Sequence, residues 1–321
     1  MNMDKTYVSL TGGLGNQLFQ FSAALKMANG HEVVLLNGYG KPREHVPGLP
    51  DICGFSTAES VRFETQNRWN VARKIASKGV NFTHSTGLNV SRVRNNKFVR
   101  RFSIWATSLI ASLDLGTFVR VKSSRGVGFD QELDWKGQND LLIGYYQSWK
   151  YIDRTLIKNK LGGAVPLFGG EWFEEMRELS NYEKPLVVHV RLGDYRNAPE
   201  FGFPSKEYFD HAITLLRGRN QESRIWLFSD EPQNALEFLP DYFEKLNARI
   251  VTPPRNASHP ATAMAVMSLG KAFVLTNSTF GYWAAVLSGA QSSQIVIPDP
   301  WFEKLDPIID FADPSWLRIP R

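Results

Sequence analysis

The chain has 321 residues, of which 43% are hydrophobic and 21% charged, and it carries a net charge of +5 at neutral pH. This length exceeds the usual size of a single hydrophobic core, so two domains are expected. The single cysteine, Cys53, excludes an internal disulfide and a zinc site built on cysteines.

The N-terminal part begins with the pattern of a Rossmann-like domain. A strand is predicted at 6–10, then a glycine-rich turn, a helix over 16–30 with Asn16 as its cap, and a strand at 32–36. Periodicity is weak over 40–140, although 102–119 is typical of a helix packed on protein or lying at an interface. A further buried strand is predicted at 141–149.

The C-terminal part alternates strands and helices regularly. Strands are predicted at 186–190, 224–230, 248–254, 271–277 and 294–300, and helices at 205–219, 231–239, 261–270 and 278–289. Helices of this length between strands imply parallel βαβ crossovers. We therefore predict an α/β chain with two Rossmann-like domains facing a cleft.

The segment LVVHVRLGDYR, residues 186–196, predicts a buried strand that ends in polar residues. His189 and Arg191 alternate on one face of this strand, at the end where open α/β sheets bind ligands. The guanidinium of Arg191 matches phosphate oxygens, which suits a diphosphate leaving group. Asp194 either orients Arg191 or accepts a proton from an acceptor hydroxyl. Of these two roles we favour orientation, because a carboxylate beside a guanidinium is a weak base.

Three further segments follow predicted strands. TGGLGNQLFQ (11–20) opens a helix, and it is either a tight turn or a site for an anion or sugar. FSDEP (228–232) places Asp230 either as a helix cap or as an acceptor for a guanine edge or a ribose hydroxyl. In TNSTFGYWAAVLSG (276–289), Ser278 and Thr279 form an N-cap or an anion site, and Phe280, Tyr282 and Trp283 offer faces to a base or sugar.

The charge is unevenly distributed. Residues 62–125 hold thirteen Lys or Arg and two acidic residues, a local charge of +11. This segment is either a solvated basic face or a surface for anionic lipid or an anionic acceptor. No signature of nucleic-acid binding accompanies the charge, so nucleic acid is not the expected partner. The sequence predicts neither a signal peptide nor a membrane-spanning helix.

Taken together, GGLGNQLFQ, HVRLGDY, FSD and NSTFGYWAA resemble, in the same order, the motifs of glycosyltransferase family 11, inverting α-1,2-fucosyltransferases that use GDP-fucose. PDPWF at 298–302 is also similar to the family's C-terminal segment. The pattern departs from the family at Leu192, where a second arginine is usual, and at Tyr282, where the first tryptophan of a pair is usual.

The resemblance implies a GT-B fold, no metal ion and no cofactor, with GDP-fucose as the donor substrate. The implied division is an acceptor-binding domain at 1–155, a GDP-sugar-binding domain at 156–300, and a segment at 301–321 that packs back toward the first domain. The implied catalytic residues are His189, Arg191 and Asp194. Donor contacts are implied for His189, Arg191, Ser229, Asp230, Asn277, Ser278, Thr279 and Phe280, and acceptor or sugar contacts for Gly13, Asn16, Gln17 and Tyr195.

The sequence thus predicts a cytoplasmic α-1,2-fucosyltransferase of surface polysaccharide (O-antigen) synthesis. Its expected partners are GDP-fucose and an oligosaccharide acceptor, with a lipid-linked form left open. Contact of residues 62–125 with the inner face of an anionic membrane is also expected. Two alternatives stay open, a transferase for another GDP-6-deoxysugar and a non-catalytic module that binds a GDP-sugar or a glycan.

Overall fold

The computed structural model describes residues 5–37, 48–49, 61–65, 97–124, 127–131, 133, 139–161, 164–193, 201–219, 222–255, 259–303 and 310–321. It divides into two compact units, one comprising Met1–Ala164 with Ile309–Phe311 and the other comprising Val165–Ile308 with Ala312–Arg321. Both units are α/β, which confirms the predicted fold class.

The first unit contains a five-stranded parallel sheet in the order β3-β2-β1-β5-β4. Its strands are β1 (Lys5–Leu10), β2 (Glu32–Asn37), β3 (Val61–Thr65), β4 (Arg120–Ser123) and β5 (Asp140–Ile143). Its helices are α1 (Leu14–Ala28), α2 (Lys97–Leu115) and α3 (Arg154–Leu161), with a 3-10 turn at Trp149–Tyr151. Tyr7, Val34, Leu141 and Ile143 of the sheet form a hydrophobic cluster with Ala111 of α2.

The second unit contains a six-stranded parallel sheet in the order β11-β10-β9-β6-β7-β8. Its strands are β6 (Leu186–Val190), β7 (Ile225–Ser229), β8 (Arg249–Ile250), β9 (Ala272–Leu275), β10 (Ile295–Asp299) and β11 (Leu317–Pro320). Its helices are α4 (Ala164–Glu183), which is kinked at Gly170, α5 (Lys206–Arg219), α6 (Pro232–Ala235), α7 (Pro260–Met267) and α8 (Thr279–Leu287). Short 3-10 turns lie at Leu236–Phe238, Phe243–Leu246 and Ser292–Gln294.

The division of the chain differs from the predicted one. The first unit extends to Ala164 rather than to residue 155, and Leu317–Pro320 pairs with β10 as an edge strand of the second sheet. Within the predicted segment 301–321, Asp310 and Phe311 belong to the first unit, where the main-chain N–H of Trp149 donates to both of their carbonyl oxygens. Among the described helices, none is both long enough and apolar enough to cross a bilayer.

Candidate active site

The ends of three neighbouring strands form the candidate site in the second unit. Strand β6 lies between β7 and β9, and His189 is in register with Phe228 on one side and with Leu275 on the other. Because the strands are parallel, their carboxyl ends lead into one edge of the sheet, where α/β proteins bind ligands. That edge carries the strand-end turn (residues 191–193), Asp230 and the start of α8.

Asp230 holds the strand-end turn in place. Its carboxylate accepts hydrogen bonds from the main-chain N–H groups of Leu192 at 3.0 Å and Gly193 at 3.1 Å, and it pairs with the Arg191 guanidinium at 3.2 Å. A Cβ on Gly193 would lie 2.6 Å from the carboxylate, so glycine allows this close approach. Asp230 therefore fixes both the backbone at the strand end and the direction of Arg191.

This arrangement corrects one prediction and leaves others untested. Asp230 pairs with Arg191 and orients it, while the same role that is favoured for Asp194 stays a prediction. The alternative role of Asp230 as a helix cap is wrong, because α6 follows Glu231 at its N-cap and has no side-chain cap. A carboxylate offers about four acceptor positions, so a guanine contact of Asp230 stays a prediction. Asp194 and Tyr195 lie outside the described residues.

Arg191 is also fixed from the opposite side. Its main-chain N–H donates to the side-chain oxygen of Thr276 at 3.3 Å. Thr276 is fully buried at the end of β9, and its own N–H donates to the carbonyl oxygen of His189 at 3.2 Å. The sequence interpretation did not assign Thr276 to the site, although a threonine directly after a buried strand was a usable signal.

His189 is a buried, uncharged imidazole. It is 3% exposed, and burial, with a smaller contribution from the Arg191 charge, lowers its pKa from 6.5 to about 4, while Asp230 acts in the opposite direction. Protonation thus favours the unfolded chain, so this group costs stability as the pH falls from 6.5 toward about 4. At neutral pH His189 is a hydrogen-bonding group rather than a cation.

One ring nitrogen of His189 lies against helix α8. Within the described part of the chain, its Nδ1 is buried and has no hydrogen-bond partner. A Cβ on Gly281 would lie 2.5 Å from this nitrogen, and the ring of Phe280 lies 6.1 Å from the imidazole, centroid to centroid. Glycine at 281 therefore allows α8 to pack directly against the imidazole.

At the start of α8, the Ser278 hydroxyl caps the helix, which is one of its two predicted roles. The side-chain oxygen of Ser278 accepts a hydrogen bond from the N–H of Phe280 at 3.3 Å, so Ser278 is the N-cap. Asn277 is buried and donates to the carbonyl oxygen of Phe201 at 2.9 Å. Ser229 likewise accepts from the N–H of Glu231 at 3.0 Å. Donor contacts of these residues and of Thr279 stay predictions.

Tyr282 and Trp283 are packing residues, which corrects the idea that they present faces to a ligand. Both are almost fully buried in the second unit. The Tyr282 ring lies 4.8 Å from that of Trp316 and 6.3 Å from that of Trp301, centroid to centroid. Of the three aromatic residues predicted to face a base or sugar, Phe280 is the one that is partly exposed and next to His189.

The glycine-rich turn of the first unit is held by glutamine side chains. Helix α1 begins at Leu14 after Gly13, not at the predicted cap Asn16. Gln17 is buried, donates to the carbonyl oxygen of Gly12 at 2.9 Å and accepts from the N–H of Leu49 at 2.8 Å. Asn16 accepts from Gln147 at 2.8 Å. Gln17 is thus structural here, while contacts of Gly13, Asn16 and Gln17 with a sugar stay predictions.

The described residues therefore form a parallel α/β protein with an arginine fixed at the carboxyl end of a strand, where an anionic ligand group would be held. The family model for glycosyl transferase family 11 matches residues 145–316, more than half of the chain. The chain belongs to this family of glycosyltransferases.

Three similar proteins illustrate the relationship. The chain is 25% identical to the O-antigen biosynthesis glycosyltransferase WbnK of Escherichia coli, over 92% of this chain and 94% of that protein. It is 23% identical to an alpha-1,2-colitosyltransferase of Escherichia coli, over 97% of this chain and 98% of that protein. The crystal structure of the fucosyltransferase NodZ from Bradyrhizobium has a TM-score of 0.44 and 13% identity, with 90% of this chain and 94% of that chain covered.

Removing the negative charge of Asp230 tests its function in the turn. We expect Asp230→Asn to lower sugar-transfer turnover roughly 10- to 100-fold, because the charge that orients Arg191 from β7 is lost while a carbonyl oxygen still accepts a main-chain N–H. The measurement is kcat with a nucleotide-sugar donor, together with the Tm. The matched control is Asp241→Asn, which removes an exposed ion pair with Lys206 in the same unit. Unchanged turnover in Asp230→Asn would contradict the positioning role.

Proposed function

We propose that the chain transfers L-fucose from GDP-β-L-fucose to a galactose-type hydroxyl of a glycan, with an α-1,2 linkage, in O-antigen synthesis. The observation that carries the proposal is Arg191, fixed by Asp230 and by Thr276 at a strand end in a member of glycosyl transferase family 11. The name of one relative supports O-antigen synthesis, and the name of another supports the α-1,2 linkage.

The proposed reaction is a single displacement with inversion at the anomeric carbon. The acceptor oxygen bonds to this carbon as the bond from the carbon to the β-phosphate oxygen breaks. GDP leaves with the bonding electrons, and the acceptor proton passes to a base. Arg191 offsets the charge that develops on the β-phosphate, the interaction that contributes most when donors are held in place beforehand. The neutral His189 would hydrogen-bond the ribose-phosphate region, and Asp194 is the candidate base.

A second candidate is transfer of a different GDP-linked deoxysugar. It is favoured by the similarity to a colitosyltransferase, because the residues of the candidate site bear on the nucleotide and diphosphate more than on the sugar. Either transfer is proposed to proceed without a metal ion. Among the described residues, no three His, Cys, Asp or Glu side chains group as metal ligands would.

A donor and acceptor screen tests the proposed function. Purified protein is incubated with GDP-fucose, GDP-colitose or GDP-mannose and a galactose-terminated oligosaccharide, with EDTA or with Mn²⁺. We expect an α-1,2-fucosylated product in EDTA, identified by NMR linkage analysis. A colitosylated product would favour the second candidate, and a strict Mn²⁺ requirement would contradict metal-independent transfer.

Thermal shift separates an enzyme from a binding module. We expect GDP to raise the Tm more than UDP, NAD or single-stranded DNA, because a ligand that binds the folded state stabilises it. A GDP-specific shift without turnover on any acceptor would support the non-catalytic module. A shift with DNA alone would contradict a GDP-sugar function.

The acceptor is proposed to be lipid-linked and the enzyme to work in the cytoplasm at the inner face of the membrane. The support is the charge of +11 over residues 62–125, which suits an anionic lipid surface.

A further inference from the structure

Large hydrophobic side chains are exposed on one face of α2. Seven such side chains are exposed among the described residues, and five of them lie between Phe102 and Phe118. Four belong to the helix, at positions 102, 105, 109 and 113, and they form the exposed helix face (Phe102, Trp105, Leu109 and Leu113). At about 100° per residue, these positions lie within an arc of roughly 80°.

The opposite face of α2 packs on the sheet, and beside the partly buried Ile104 and Leu115 it consists of small and hydroxyl-bearing residues. Ala111 and Thr107 are buried. The side-chain oxygen of Ser108 accepts from the N–H of Val121 at 3.0 Å, and that of Ser112 accepts from the N–H of Val119 at 2.9 Å. These bonds to the backbone of the chain around β4 fix the rotation of the helix. The large apolar residues therefore point outward because of specific contacts on the inner side.

Basic residues stand at the amino end of α2, where a positive charge does not stabilise an isolated helix. Lys97, Arg100 and Arg101 occupy its first two turns, which contain no acidic residue. The amino end of a helix carries a partial positive charge, so cations there oppose the helix dipole. Arg101 is exposed beside Phe102. An anionic partner would compensate for this unfavourable placement.

We infer that the exposed helix face docks on an anionic lipid bilayer, with the helix lying in the plane of the interface. Trp, Phe and Leu on one face with a basic residue, Arg101, at its border match the pattern of an interfacial helix. The face spans twelve residues, Phe102 to Leu113, or about 17 Å along the helix axis, and Phe118 is exposed beyond the carboxyl end of the helix. A second copy of the chain is a poorer occupant, because two segments of charge +11 would repel each other.

The reason for docking, which is to bring the site to a lipid-linked acceptor, rests on the proposed function. Binding itself needs no turnover. If vesicle binding fails while the donor screen yields product, the docking surface is wrong and the proposed function stands. If the protein binds vesicles but uses no donor, the docking surface stands and the proposed function is wrong.

Vesicle co-sedimentation at low and high salt tests the surface. We expect the protein to bind vesicles that contain phosphatidylglycerol, and to bind pure phosphatidylcholine vesicles much more weakly. The double variant Trp105→Gln, Leu109→Gln should lose about tenfold or more in vesicle affinity, and Arg101→Glu should reduce affinity at low salt. The matched control is Tyr182→Gln, which removes an exposed aromatic side chain from the second unit and should bind like the wild type.

Two measurements keep the result interpretable. Circular dichroism and the rate of transfer to a soluble acceptor should be unchanged in the double variant, because the substituted side chains are exposed. Light scattering without vesicles reports self-association. The inference is overturned if the wild type does not bind anionic vesicles, if the double variant binds equally well, or if the exposed helix face instead forms a dimer that the double variant dissociates.

Discussion

Arg191→Ala should lower the turnover number of sugar transfer roughly 10²- to 10³-fold, the usual effect of removing one fixed donor to a developing negative charge. The fold should survive, because only the side chain is lost. The N–H of residue 191 still donates to Thr276, and Asp230 still accepts from Leu192 and Gly193. The measurements are kcat, KM for the donor, and the Tm.

The charge and the shape of the arginine can be separated with two further variants. Arg191→Lys keeps a positive charge but loses the planar fork, so we expect it to recover part of the lost turnover. Arg177→Ala is the matched control, because Arg177 forms a surface pair with Glu174 in the same unit. Full activity in Arg191→Ala would contradict the leaving-group role, and loss of folding would assign the residue to stability instead.

Glu183→Gln should lower the free energy of unfolding by about 2–3 kcal/mol, since the carboxylate accepts several charge-assisted hydrogen bonds. Arg224 donates to it at 2.7 Å, Arg249 at 2.8 Å and the indole of Trp226 at 2.5 Å. Glu183 is the last residue of α4, where a negative charge is unfavourable toward the helix dipole. The two guanidinium groups therefore determine whether the residue stabilises the fold.

The same contribution should depend on pH in a defined direction. Burial raises the pKa of Glu183, but the hydrogen bonds from Arg249, Trp226 and Arg224 together have the larger, opposite effect. The net result is a pKa below the ordinary 4.5. The unfolded chain thus binds the proton more readily, so the stabilisation is complete above pH 4.5 and is lost as the pH falls through the lowered pKa. The His189 contribution cancels when the variant is compared with the wild type.

Urea unfolding of both proteins at pH about 7 and pH about 4 measures this difference. We expect the stability gap between wild type and Glu183→Gln to narrow at the lower pH. Glu222→Gln is the control, because Glu222 pairs with Lys184 on the exposed surface and should change stability little. A gap that is constant across the pH range would show that the carboxylate charge is not the source of the stability.

The sequence was most informative where a strand is buried on both faces. The run LVVHV predicted β6 to the residue, because all five side chains are buried in the structure. The edge strands β3, β4 and β11 were not predicted, since edge positions accept charged residues such as Arg62, Arg120 and Arg318 and the apolar signal is lost. Helix α4 escaped prediction because Pro166, Gly169 and Gly170 interrupt its pattern.

The site was predictable as a set of strand ends but not as a set of contacts. Alternation along β6 placed His189 and Arg191 together at the edge where the structure has them. The ion pair between Arg191 and Asp230 depends on β7 lying beside β6 in a given register, and local sequence patterns do not predict that register. The same limit applies to Thr276, whose importance comes from β9 lying on the other side of β6.

Leu192 links the site to the hydrophobic core of the second unit. As strand alternation predicts, it points away from Arg191, and it is buried with Val190, Phe209 and Leu239. Restoring the second arginine that the family motif usually has would therefore bury an unpaired guanidinium among these side chains. Grafting the motif of one family member onto another is thus not a local exchange, because the second motif position and the packing beneath it have to change together.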